Sequence, residues 1–179
     1  MIAELLAADL WAASANTIWA VYWVVALHLQ TRKERLGILR AEVDGSRTSW
    51  AAAHSSRTPI AEDPAALHTW LVNSTDSTPL LNSAIQETLR FASSAASTRV
   101  VIRDTILAGY RLLKGDRIVC LIRVSHMDEE IHEWADQYEP ARYMNANVVR
   151  IKDGEFVTNH TMPFGGGASM CPGRYAKTA

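Results

Sequence analysis

The sequence predicts a mainly α fold with small β sheets (α+β), and three stretches carry that prediction. The first 30 residues are apolar with few interruptions. Residues 77–94 collect their apolar side chains on one helical face, and residues 97–125 hold two short apolar runs bounded by Gly and Asp. With 179 residues the chain has the length of one ordinary domain, and 48% apolar against 21% charged residues excludes a disordered chain. A net charge of −1 supplies no field to draw nucleic acid, so no nucleic-acid partner is expected.

Taken in order, residues 1–30 are long enough to span a bilayer, yet Glu4, Asp9 and Asn16 interrupt them. A basic start and a small-residue cleavage site are lacking, which argues against a signal peptide. The expectation is a long helix buried in a protein core. Trp11 and Trp19 within it either pack in that core or line a pocket. "TRKERLGILRAEVDG" reads as a shorter charged helix with Leu36, Leu39 and Val43 as its stripe, ending at Asp44-Gly45. Residues 46–78 are rich in Ser, Thr and Ala and read as connections with one short helix near "PAALHTWLV".

The helix over 77–94 is the clearest. Thr78 is its expected N-cap, Pro79 its first residue, and Leu80, Leu81, Ala84, Ile85, Thr88 and Leu89 its inner face. Glu87 and Arg90 stand three apart and are neighbours on another face. "TRVVIR" and "DRIVCLIRV" are expected strands, joined through Gly and Asp turns. Cys120 in the second is expected to pack as a small buried hydrophobe. Residues 126–144 are acidic and loop-like and end in "PARY". Residues 161–179 form a glycine loop and the start of a further helix. The two cysteines sit in contexts too different for a disulfide, and the sequons at Asn73 and Asn159 read as chance.

The chemistry concentrates in "PFGGGASMCPGR", Pro163 to Arg174. A cysteine between three glycines and Pro-Gly has three candidate roles: redox or catalytic nucleophile, zinc ligand, or axial ligand to heme. Glycines let backbone pass close to a large flat object, and free N–H groups stabilise a thiolate. The zinc role lacks partners, since no second cysteine stands near Cys171 and His160 is the only local histidine. A nucleophile needs a positioned base, which sequence neither supplies nor excludes.

"FGGGASMCPG" resembles the heme-binding loop F-x-x-G-x-[RHK]-x-C-x-G of the cytochrome P-450 superfamily, the heme-thiolate monooxygenases. Phe164, Gly167, Cys171 and Gly173 match, and Ser169 stands where the family has a basic residue. "ETLR" resembles the family's E-x-x-R signature with Glu87 and Arg90, and "PARY" its later P-x-R-F element with Arg142. The first helix resembles the long distal helix, with "ASANT" in place of [AG]-G-x-[DE]-T. A single E-x-x-R carries little weight; four elements in the right order carry much. The wording also resembles the branch of sterol 7α-hydroxylases, prostacyclin synthase and fungal relatives.

The resemblance implies the C-terminal part of that fold, from the long distal helix (1–30) to the heme-cysteine loop. It implies heme b, held by Cys171 as iron ligand with Phe164, Gly165, Gly167 and Gly173 around it. Arg99 is placed like the arginine that reaches a heme propionate and would offset Ser169. Glu87, Arg90 and Arg142 would form a structural ion-pair triad, and Thr17 with Asn16 would handle distal water and protons. The expected activity is insertion of one oxygen atom from dioxygen into an apolar, sterol-like or secondary-metabolite substrate. A separate NADPH-dependent reductase would supply electrons. Two alternatives stand beside it: a truncated fragment without activity, and a heme-thiolate isomerase, which the amide of Asn16 would suit. The N-terminal half, with its membrane anchor and most recognition loops, is expected to be missing, so membrane association, at the cytosolic face of the endoplasmic reticulum, would depend on that part.

Overall fold

The computed structural model describes residues 2–54, 63–144, 151–157, 160–167 and 170–171. It divides into two compact units. The first holds the residues through Leu89 together with the segment that begins at Gln137; the second runs from Arg90 to Asp136 and takes in the described residues from 151 to Cys171.

The first unit is helical. Helix α1 spans Ile2–Gln30, α2 Lys33–Ala53, α3 Pro64–Asn73, and a 3-10 turn at Thr75–Ser77 leads into α4, Pro79–Ala92. The expected burial of α1 is not met. Leu27 and His28 in its last turns are buried, while Leu10, Trp11, Ile18, Trp19, Val21, Tyr22, Val25 and Leu29 are more than half exposed. No described element of this unit covers those side chains, so Trp11 and Trp19 are not core residues here. Among the described residues no helix is long and apolar enough to cross a membrane.

Helix α2 also departs from expectation, running eight residues past the Asp44-Gly45 pair to end at Ala53. Glycine inside a helix costs only about 1 kcal/mol, and packing outweighs it. Ser46 is buried, accepts from Trp70 Nε1 at 3.2 Å and lies 2.6 Å from the Ser77 hydroxyl. The helix stops where His54 stacks on Trp50 at 4.1 Å and its backbone N–H returns to the Trp50 carbonyl.

The start of α4 meets the expectation in position, with Pro79 as its first residue, but differs in how its amides are capped. The Thr78 carbonyl accepts from Asn82 N–H, as an N-cap carbonyl should, but its hydroxyl donates to Ser74 O at 2.8 Å. The open amides of Leu80 and Leu81 are met instead by the two carboxylate oxygens of Glu42 on α2, at 2.8 and 2.9 Å. A carboxylate there also complements the positive end of the helix.

The second unit is built from short antiparallel ribbons. Strand β1, Ala96–Val100, pairs with β4, Arg117–Leu121, in the register Ala96↔Leu121 to Val100↔Arg117. Between them β2, Thr105–Leu107, and β3, Tyr110–Leu112, form a hairpin. Its two turn residues, Ala108 and Gly109, both have positive φ (49° and 83°), as a type I′ turn requires. The apolar run after β4 does not continue as strand. It turns into α5, Ile122–His126, whose Ile122 is buried. Strands β5, Ile151–Lys152, and β6, Glu155–Phe156, complete the unit. Cys120 is exposed, contrary to expectation. It lies on a two-stranded ribbon opposite Ser97, and among the described residues no further strand joins that ribbon.

Candidate heme-thiolate site

Cys171 is an exposed cysteine in the second unit. The loop before it is shaped by its own backbone. Gly165 N–H donates to Met162 O at 3.1 Å, Met170 N–H to Gly167 O at 3.2 Å, and Cys171 N–H to Phe164 O at 2.9 Å. Gly165 and Gly167 have φ of 76° and 70°, a region costly for any residue with a Cβ. A Cβ added at either would meet nothing within 4 Å, so these glycines serve the turn and leave a bare face. Phe164 is half-buried beside them. Ser169 and Gly173 lie outside the described residues.

Arg99 on β1 is brought to this loop. Its Nη2 donates to Gly166 O at 3.0 Å, while Nη1 donates to Ser97 Oγ and Thr98 O at 2.8 and 3.0 Å. The guanidinium is exposed, so a cation stands on an open glycine face. In the same unit Lys152 pairs with Asp128 and lies 3.5 Å from Glu130. The hydrogen bond from Lys152 holds the Asp128 carboxyl below the usual carboxylate range, and the same bond raises the Lys152 ammonium.

Arg90, the first α4 residue of the second unit, is fully buried. Its Nη1 donates to the carbonyls of His126 and Ala135, at 2.5 and 2.8 Å. Glu87 and Arg142 meet in the first unit. Arg142 Nε donates to Glu87 Oε2 at 2.9 Å, and Glu139 N–H donates to Glu87 Oε1 at 3.0 Å. Glu87 has no exposed side-chain surface and Arg142 only 8%. Arg142 Nη2 also donates to Gln137 O at 2.9 Å. Tyr138 completes this network against Thr88, 3.1 Å away, and His28, 3.3 Å away. Burial first, then the nearby charges of Glu87 and Glu139, push its phenol up to about 12, against the hydrogen bond from Thr88.

Asn16 and Thr17 lie midway along α1 in the first unit, with both side chains exposed. Sequence reasoning missed Glu42 as the cap of α4, and beyond setting His126 and His132 aside as a zinc pair it gave no role to these two fully buried histidines. A carboxylate on another helix has no local signature. The histidines announce themselves only through distant partners: His132 Nε2 donates to His160 O at 2.9 Å, and Met162 N–H donates to His126 Nε2 at 2.9 Å.

An exposed cysteine, a glycine face without Cβ atoms and a guanidinium beside it suit a heme-thiolate type of site. Among the described residues no group of three or more His, Cys, Asp or Glu side chains could hold a metal ion, and a heme iron asks this loop for a single sulfur. The model of the family Cytochrome P-450 matches residues 4–175, and the chain belongs to that family. It is 31% identical over 173 residues to rat 25-hydroxycholesterol 7-alpha-hydroxylase, covering 93% of this chain and 40% of the relative. Pig cytochrome P-450 7A1 is 30% identical over 180 residues, covering 96% and 34%. Human 7-alpha-hydroxycholest-4-en-3-one 12-alpha-hydroxylase is 30% identical over 176 residues, covering 93% and 33%. The chain thus spans 33–40% of the length of these relatives. A zebrafish cytochrome P-450 solved with progesterone superimposes with a TM-score of 0.63 at 20% identity, over 96% of this chain and 34% of that one. That likeness supports the fold. The family's cofactor is heme b, and the residues around Cys171 suit it.

Proposed function

We propose that this chain carries the heme-binding part of a monooxygenase that hydroxylates an apolar, sterol-like substrate. One observation carries the reading: Cys171 stands exposed at the end of a bare glycine face held by its own backbone bonds. The sterol hydroxylases among its relatives supply the substrate class. When bound, heme supplies a redox-active iron for dioxygen, and thiolate ligation pushes electron density toward it. Cys171 gives that ligand. The turns at Gly165 and Gly167 keep side chains off the macrocycle. The Arg99 guanidinium offsets the negative charge of a propionate. Thr17 holds and passes a proton through its hydroxyl, and the Asn16 amide orients water by hydrogen bonding. Phe164, Gly165, Gly167 and Gly173 would contact the cofactor, and Glu87, Arg90 and Arg142 are structural. Electrons come from a separate NADPH-dependent reductase, and the endoplasmic reticulum membrane is the proposed location.

The test is to express the chain with heme supplied, reduce it, add carbon monoxide and record the Soret band. A band of thiolate type is expected, lost in Cys171→Ser and kept in Cys120→Ser. Equal bands in both variants overturn the ligand assignment. A second reading, that the chain as given has no activity of its own, is favoured by the exposed apolar side chains of α1. A folded chain without any thiolate-type band decides for it.

A further inference from the structure

Two fully buried histidines contact the segment that leads into the glycine loop, and the chemistry proposed above uses neither. His126 Nδ1 lies 3.1 Å from Arg90 O, and its Nε2 lies 2.9 Å from Met162 N. A carbonyl only accepts and an amide N–H only donates, so Nδ1 carries the proton and Nε2 the lone pair. Both bonds hold together in one neutral tautomer. Arg90 completes the link from its other end, since its guanidinium donates to His126 O at 2.5 Å. Downstream, Met162 O accepts from Gly165 N–H and Phe164 O from Cys171 N–H. Ring and backbone bonds therefore connect the Arg90 carbonyl to the turn that carries the sulfur. His132 holds the same segment two residues earlier, through His160 O.

We propose that His126 is a positioning residue for Cys171. Its imidazole anchors Met162 to α4 and so fixes where the glycine turn begins and where the sulfur stands. Only the spectroscopic part of the test rests on the heme reading above.

Two substitutions split the ring's two bonds. His126→Gln keeps an acceptor where Nε2 stands, while His126→Asn keeps a donor where Nδ1 stands and leaves Met162 N–H unmet. His126→Phe removes both. The full chain, labelled with ¹⁵N-methionine and supplied with heme, gives the amide exchange rate of Met162 and the thiolate-type share of the ferrous carbon monoxide band. Exchange at Met162 is expected to rise about tenfold in the Asn and Phe variants, the usual worth of one such bond, and to stay near wild type in the Gln variant. The thiolate-type share should fall in the same order, with equal urea midpoints for Asn and Gln. Unchanged exchange in the Asn and Phe variants overturns the proposal. So does faster exchange with an undiminished thiolate share. A wild-type chain with no thiolate-type band refutes the heme reading instead. The second measurement is then the alkylation rate of the Cys171 thiol, followed by peptide mass; equal rates in the Gln and Asn variants overturn the proposal, and a changed rate in Asn alone supports it.

Discussion

Replacing Glu87 tests the buried network of the first unit. Its side chain has no exposed surface and accepts from Arg142 Nε at 2.9 Å and from Glu139 N–H at 3.0 Å. Glu87→Leu leaves the Arg142 cation in a site where 8% of its side chain meets solvent. Removing one partner of a buried ion pair costs about 3–5 kcal/mol. A domain holds about 5–15 kcal/mol in all, so the loss is a large share of stability. With a urea slope of about 2 kcal/mol per molar, the midpoint should fall by about 2 M, read by circular dichroism and tryptophan fluorescence together. Glu87→Gln keeps the shape but offers one carbonyl to two donors. One donor then faces an amide NH₂, for about 1–3 kcal/mol. The double variant Glu87→Leu/Arg142→Met removes both charges and should recover most of the single loss, leaving the unmet Glu139 amide at about 1–3 kcal/mol. If Glu87→Leu and the double variant lose the same stability, the two charges are not coupled and the reasoning fails.

Three further outcomes follow from the same structure. Glu42→Ala should lower stability by about 1–2 kcal/mol through the uncapped amides of Leu80 and Leu81, seen as a lower melting temperature, with Glu42→Gln intermediate. The Tyr138 phenol, raised to about 12 in the fold, contributes stability in full below its ordinary value of 10.0 and loses it as pH climbs from there toward 12. Tyr138→Phe should remove the highest step from the phenolate absorbance titration, and a curve unchanged by the substitution refutes the assignment. The Asp128 carboxyl lies below its ordinary value, so its pair with Lys152 is fully present above pH 3.8 and is lost as acid titrates the folded carboxyl. On the alkaline side the pair is present below 10.5 and lost as pH rises through the raised Lys152 value. Asp128→Asn should flatten both limbs of the stability profile by a small amount, because the pair is partly open to solvent, which screens it.

What the sequence made legible divides by the range of the interaction. The α4 helix was readable because Pro79 and a 3.6-residue apolar period are local signals, and the glycine loop because Gly165 and Gly167 answer a backbone demand that only their own residues can meet. Asp44-Gly45 misled for the opposite reason: a weak local stop signal was overruled by Ser46, Trp70 and Ser77, which meet only in the fold. The cap of α4 failed in the same way, with Glu42 lying 38 residues before the amide it serves. Cys120 shows that an apolar run fixes a strand but not its cover, since a ribbon of two strands leaves both faces open to solvent unless another element packs on them. The candidate site combines both kinds of information. Its proposed ligand, Cys171, is a local feature of one loop, whereas the bonds that Arg90, Arg99 and His126 make join residues separated by tens of positions. A motif search therefore finds the sulfur, but the side chains that hold its loop in place emerge only when the buried donors and acceptors are paired one by one.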